Sequence, residues 1–276
     1  MQVTPHVYRC NISGEMDPAA MHPGGSGIYF VGDPAQEMVV VDSGQPYRSW
    51  TKKILDFYQE LGRPKISAIL ITHGHGDHTG GLDRLQEKMG GVVRCHPKLV
   101  SRLALALDDR TVVKLSSREL IRTGGGMTLR ALFTPGHEVD HVCYYLAQER
   151  VMFTGDTILG ASSSTVHSLS EYMKSLQLLA RYRPAILCPA HGPVVPDGTR
   201  RVQWYIDHRM EREEQVLAAL QKGLNTVEEM VKDIYPRNLR RALRQAAGRN
   251  VITHLGKLMD EGRVSSSDIT YALKRV

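Results

Sequence analysis

Apolar and polar positions follow two periods along the first two hundred residues. Short β-rich runs at 28–31 (IYFV) and 38–42 (MVVVD), separated by the polar stretch GDPAQE, predict a hairpin. Residues 47–61 space their apolar side chains for an amphipathic helix, with a stop at Gly62-Arg63-Pro64. SAILIT (67–72) is a continuous apolar run, as expected of a strand covered on both faces. A short helix over 82–88, a strand over 92–95 and a helix over 97–107 follow. From 111 to 155 the pattern reads as strands TVVKL, ELIRT, MTLRALFT, VCYYLA and RVMFTG, divided by turn residues that include Gly124-Gly125-Gly126. Residues 169–182 predict a helix and 185–188 a last strand. Beyond Pro193 and Pro196 the texture changes to a long charged helix over 199–222, then helical periodicity over 226–261 with breaks near Pro236 and Gly248. The final stretch suits a small hairpin. A layered α/β domain is therefore expected over 1–198, with a linker helix and a small helix-rich appendage over 199–276.

Composition narrows this picture only slightly. The 276 residues are 42% hydrophobic and 23% charged, as in an ordinary globular protein. No stretch approaches the ~20 apolar residues of a membrane span, and the first residues lack the plan of a secretory signal, so a cytoplasmic protein is expected. Cys10, Cys95, Cys143 and Cys188 are scattered without a CxxC pair and read as reduced and buried. The net charge of +6 is uneven: residues 197–276 hold 15 Lys+Arg against 11 Asp+Glu, the rest 20 against 18. Arg237, Arg240, Arg241, Arg244 and Arg249 occur with no acidic residue between them, which fits either a nucleic-acid footprint or a solvated helix face.

The chemistry concentrates in Thr72-His73-Gly74-His75-Gly76-Asp77-His78-Thr79-Gly80-Gly81. Three imidazoles and a carboxylate lie within six residues, directly after an apolar strand, and these donors suit Zn²⁺, Mn²⁺ and iron. The two glycines between them are expected to turn the backbone sharply, so that nearby side chains converge. His137, Asp156 and His191 each follow a β-like run, in LFTPGH, VMFTGD and AILCPAH. Functional groups gather on loops at strand ends, so these three are candidates to complete the site.

THGHGDHTGG, TPGH, FTGD and PAHG, in this order, resemble the metallo-β-lactamase superfamily across residues ~7–196. The resemblance implies an αββα sandwich with the site at one edge of two sheets. It also implies two metal ions, Zn²⁺ first with Mn²⁺ or iron as alternatives. His73, His75 and His137 would hold one, Asp77, His78 and His191 the other, and Asp156 would bridge. Asp42 matches a position that orients a ligand histidine. Residues 155–176, 189–195 and 205–217 resemble the β-lactamase-like endoribonucleases and the related thioesterases of fungal polyketide pathways. Thr226–Val264 resembles the winged-helix appendage of that branch. The loop MHPGGSG (21–27) replaces the polar Thr- and Asn-containing stretch expected there, and its His22 either reaches the site or stays in solvent.

Bridged metals ~3.5–4 Å apart would lower a water's pKa toward ~7 and so supply a hydroxide nucleophile. Asp77 is the expected catalytic proton carrier. His141 is a second catalytic candidate, either as a donor to the oxyanion or leaving group or as a residue packed behind the ligands. A cysteine ligand is absent where Asp156 stands, which argues against antibiotic hydrolysis. Only 34 residues (157–190) separate Asp156 from His191, too few for an inserted cap domain. Cleavage of single-stranded RNA is the first functional expectation, from the narrower resemblance and the tail arginines. The alternative is hydrolysis of thioesters on an acyl carrier or glutathione. A non-catalytic winged-helix binding protein would require a degraded ligand set. No membrane partner is expected, and a homodimer stays open.

Overall fold

Alternation along the strands divides the apolar residues between separate cores. In the computed structural model, which describes residues 1–13, 24–107, 110–236, 238, 240–267 and 270–274, Val39 and Val41 face one core while Met38 and Val40 face another. The run MVVV is therefore buried throughout, because both faces of its strand are covered. The first sheet carries seven strands in sequence order: β1 (Gln2–Thr4), β2 (Val7–Ile12), β3 (Ser26–Asp33), β4 (Glu37–Val41), β5 (Lys65–Leu70), β6 (Val92–Cys95) and β7 (Val112–Lys114). The pairs from β1 to β4 are antiparallel, and those from β4 to β7 are parallel. Helices α1 (Arg48–Glu60), α2 (Gly76–Thr79), α3 (Leu82–Met89) and α4 (Val100–Ala104) make the crossovers that parallel pairing requires. Trp50, Ile54, Leu85 and Leu103 cover the outer face of this sheet.

The second sheet contains β8 (Leu120–Arg122), β9 (Thr128–Phe133), β10 (Val142–Leu146), β11 (Val151–Gly155) and β12 (Ile186–Pro189), ordered β12-β11-β10-β9-β8. A core of Tyr29, Val31, Val39, Leu70, Leu129, Tyr144 and Phe153 lies between the two sheets. Helix α5 (Leu169–Tyr182) and the first half of α6 (Gly198–Gln221) pack on its outer face through Tyr172, Leu176, Val202 and Tyr205. The order helix, sheet, sheet, helix is the expected αββα sandwich.

Helix α6 continues into a fourth core. Val216, Ala219 and Leu220 pack against α7 (Val227–Ile234), α8 (Arg241–Asp260) and a hairpin of β13 (Val264–Ser267) and β14 (Thr270–Leu273). Thr226 and Glu229 form a reciprocal capping box that starts α7. The expected break near Gly248 does not occur, because α8 runs through it. A glycine inside a helix costs about 1 kcal/mol, and burial of Ala247, Val251, Leu255 and Leu258 along the same helix outweighs it. Among the described residues no helix is long and apolar enough to cross a membrane. All four cysteines are free and buried, Cys188 between the sheets.

Candidate metal centre

The candidate ligands lie at strand ends on one edge of the sandwich. His73, His75, Asp77 and His78 follow β5, with His75 capping α2 and Asp77 and His78 in its only turn. The chain bends at Gly74 and enters α2 at Gly76, in keeping with the expected turn, without left-handed backbone at either glycine. Gly74 also sits at a close approach. A Cβ there would meet the Arg102 guanidinium, which donates to the Gly74 carbonyl, and Leu99. His137 lies between β9 and β10, Asp156 directly follows β11, and His191 follows β12.

These seven residues meet in two groups whose donor atoms all lie within 4.8 Å of one another: His73, His75, His137 and Asp156, and Asp77, His78 and His191. In the first, His73 Nε2 is 2.9 Å from His75 Nδ1, His137 Nε2 is 3.4 Å from the same atom, and Asp156 Oδ2 is 3.6 Å from His137 Nε2. The other Asp156 oxygen, Oδ1, lies 3.4 Å from His191 Nε2 and 3.6 Å from His78 Nε2. Asp77 Oδ2 is 3.2 Å from His191 Nε2. One carboxylate thus faces both groups.

The far nitrogen of each histidine is held by the protein, which aims its other nitrogen inward. His78 Nδ1 donates to Asp42 Oδ2 at 2.8 Å, and Asp42 Oδ1 accepts the Thr72 backbone N–H at 2.8 Å. His137 Nδ1 donates to the Thr165 carbonyl at 2.8 Å. His75 Nε2 meets Glu138 Oε1 at 2.9 Å, and His191 Nδ1 meets Ser26 Oγ at 3.0 Å. His73 Nδ1 lies 3.1 Å from Thr72 Oγ1. Glu138, Ser26 and Thr165 were not foreseen. Glu138 had a signal in standing next to His137, whereas Ser26 and a backbone carbonyl at Thr165 have none.

Electrostatics mark the site as a seat for positive charge. Burial would push His78 down, yet the carboxylates of Asp42 and Asp156 outweigh it and hold the imidazole well above its usual range. Burial would raise Asp156, but His78, His191 and His73 keep it well below the carboxylate range. Asp77, which burial also pushes up, is drawn down to about 2 by its hydrogen bond from His191. Burial lowers His73 strongly, with further depression from His78 and His141, so its nitrogens are free of positive charge. His78 Nε2 and Asp156 Oδ1 are buried without a hydrogen-bond partner. Buried polar atoms normally have one. Inward nitrogens and oxygens left in this way fit divalent cations that accept imidazole and carboxylate.

His141 stands outside both groups. It is fully buried, and its Nε2 accepts the Asp156 backbone N–H at 3.1 Å. Its Nδ1 faces Thr134 Oγ1 at 2.9 Å and Thr157 Oγ1 at 3.1 Å. Both nitrogens are therefore committed within the protein. His22 and Arg237 lie outside the described residues. Arg240 caps α8, and Arg241, Arg244 and Arg249 lie within it.

With this sandwich, its ligand cluster and its helical appendage, the chain belongs to the metallo-beta-lactamase superfamily, whose family model matches residues 23–191. A beta-lactamase associated winged helix domain matches residues 226–271. The chain is 36% identical over 212 residues to the lactamase-like protein nscB of Aspergillus fumigatus, covering 77% of this chain and 61% of that protein. It thus spans about six tenths of that relative's length. It is 35% identical over 242 residues to an atrochrysone carboxyl ACP thioesterase of Aspergillus chevalieri, covering 85% of this chain and 74% of that one. In fold it resembles a metallo-beta-lactamase family protein from Thermus thermophilus, with TM-score 0.73 and 24% identity over 99% of this chain and 100% of that chain. The family fold implies divalent metal ions. Of these relatives, the one from Aspergillus chevalieri carries a thioesterase name.

Proposed function

We propose that the chain is a two-metal thioester hydrolase whose substrate is an acyl group held on a carrier. The observation that supports it most is the pair of donor sets facing the two oxygens of Asp156. His73, His75 and His137 would hold one cation, Asp77, His78 and His191 the other, and Asp156 both. When bound, such cations acidify a water and polarise an acyl carbonyl. Zn²⁺ suits these donors, as do Mn²⁺ and iron.

Asp77 is ionised at neutral pH and more exposed than Asp156, so it is the carboxylate we assign as proton acceptor for an attacking water. It can return that proton to the leaving sulfur. A thiol of pKa ~8.5 departs with little assistance, whereas an alkoxide needs a proton as it leaves. His141 cannot supply one, since both nitrogens are engaged away from solvent. We assign it the task of holding the Asp156 backbone, in place of a donor to substrate. The thioesterase name of a relative 35% identical supports the same substrate class.

RNA hydrolysis is the second reading, favoured by Arg240, Arg241, Arg244 and Arg249 along α8. One preparation of measured metal content, assayed on carrier-bound thioesters, small thioesters and single-stranded RNA, separates the two. Asp77→Ala should lower thioester turnover by about a hundredfold or more. Metal-dependent RNA cleavage lost in Asp77→Ala, with every thioester left intact, would overturn the proposal.

A further inference from the structure

We propose that Arg209, on the helix that leads to the winged-helix appendage, is a positioning residue of the metal centre and acts through the loop 157–168. This inference rests on the two-metal reading above. Arg209 is only 3% exposed, 53 residues beyond Asp156 in sequence. Its Nη2 donates to the Ser164 carbonyl at 2.6 Å, and its guanidinium lies 5.3 Å from the centre of the Tyr172 ring. Ser164 Oγ in turn donates to the carbonyl of Asp156 at 2.5 Å and lies 3.4 Å from His137 Nδ1. The next carbonyl, Thr165, accepts from His137 Nδ1. Residues 164 and 165 therefore hold one ligand from each side of the first donor group, and Arg209 holds residue 164.

The same face of α6 repeats the contact at helical spacing. Arg201 Nη2 donates to the Leu159 and Ser162 carbonyls at 3.1 Å each. Tyr205 Oη donates to Ser162 O at 2.6 Å and accepts the Leu159 N–H at 2.9 Å. Positions 201, 205 and 209 are four apart and lie along one stripe of the helix. The loop contributes no strand to a sheet, so its backbone groups must find partners elsewhere. Helix α6 supplies those of Leu159, Ser162 and Ser164, while the His191 and Gly136 carbonyls take N–H groups at 160, 167 and 168. Partners behind ligands are what keep a metal site in geometry. Arg209 has the most direct route, with two hydrogen bonds between its guanidinium and Asp156.

A residue that merely filled the seam between helices would affect stability and leave metal affinity alone. The test uses the purified full chain and measures Zn²⁺ affinity by competition with a chromophoric chelator, the visible spectrum of the Co²⁺-loaded protein, and the melting of the metal-free form. Arg209→Met should weaken Zn²⁺ binding about 10–100-fold and alter the Co²⁺ bands, and Arg209→Lys should recover part of the loss. Lys257→Met is the control: it breaks the ion pairs to Glu213 and Glu261 in the neighbouring seam and should lower melting with affinity unchanged. A folded Arg209→Met with wild-type affinity and spectrum overturns the proposal, as does an equal loss of affinity in the control. If Arg209→Met does not fold, Ser164→Ala decides: weakened binding supports the route, and wild-type binding removes it. A wild-type chain that takes up no metal instead sinks the two-metal reading itself.

Discussion

Asp42 shows how much one side chain can organise. It ends the run Met38–Asp42 with a left-handed backbone, φ +64°, which aspartate tolerates better than most residues. From there its two oxygens reach the Thr72 N–H and His78 Nδ1, so that His78 Nε2 points inward. Asp42→Asn keeps the shape and one acceptor but presents an amide N–H to His78 Nδ1. Zn²⁺ affinity should fall about 10–100-fold, as outer partners of ligands usually require; chelator competition that returns the wild-type value would remove Asp42 from the site. The seven clustered residues were legible because their types and spacing are distinctive, and Asp42 only through the family resemblance. Ser26, the Thr165 carbonyl and Arg209 were not. A serine hydroxyl, a backbone oxygen or one arginine among many has no local signature, and its role exists only through a partner far along the chain.

At the level of elements, the strand ends are what bring the ligands together. Gly155 closes β11 at φ +46°, and a Cβ there would sit 2.6 Å from His141 Nε2 and 2.9 Å from Thr72 Cβ. The FTGD motif thus needs glycine so that Asp156 can pass beneath His141. Gly155→Ala should cost about 2–5 kcal/mol, from the left-handed backbone and the overpacked contact together. Denaturant unfolding with a loss below about 1 kcal/mol would show that His141 moves aside freely. The elements themselves were well marked by periodicity: the hairpin of β3 and β4, the doubly covered β5, and helices α1 and α5. Gly248 misled because a lone glycine is weak punctuation when both flanks of its helix are buried. At Gly74 the turn was legible, but the close approach of Arg102 and Leu99 was not, since both come from a later helical segment.

Across the whole molecule, α6 ties the sandwich to the appendage, with its first half in one core and its last turns in another. His254 of α8 is buried beside this helix, with both ring nitrogens lacking hydrogen-bond partners. Burial, reinforced by Arg209, Arg212 and Lys257, depresses it to about 3. The folded form therefore resists protonation, while the unfolded chain takes up a proton below about 6.5. Stability from this group is present at neutral pH and lost as pH falls from about 6.5 toward about 3, at ~1.4 kcal/mol per unit. His254→Leu should remove that term. Between pH 7 and pH 5 the stability of wild type relative to the variant should fall by about 2 kcal/mol, a comparison that cancels protonation elsewhere. Parallel urea curves at the two pH values, with the same difference at each, would contradict the shift.

Side-chain periodicity and the types of a few loop residues carried the layered fold, the appendage and the set of metal-binding candidates, because these depend on local pattern and donor chemistry. The meeting of residues 73–78 with 137, 156 and 191, the inward aim of each imidazole and the commitment of His141 to Asp156 came only with the folded chain. Convergence is a property of how β5, β9, β11 and β12 stack at one edge, and no stretch of sequence contains it. The same holds for α6: it reads only as a long charged helix until Arg201, Tyr205 and Arg209 are seen holding the loop carbonyls beside the site.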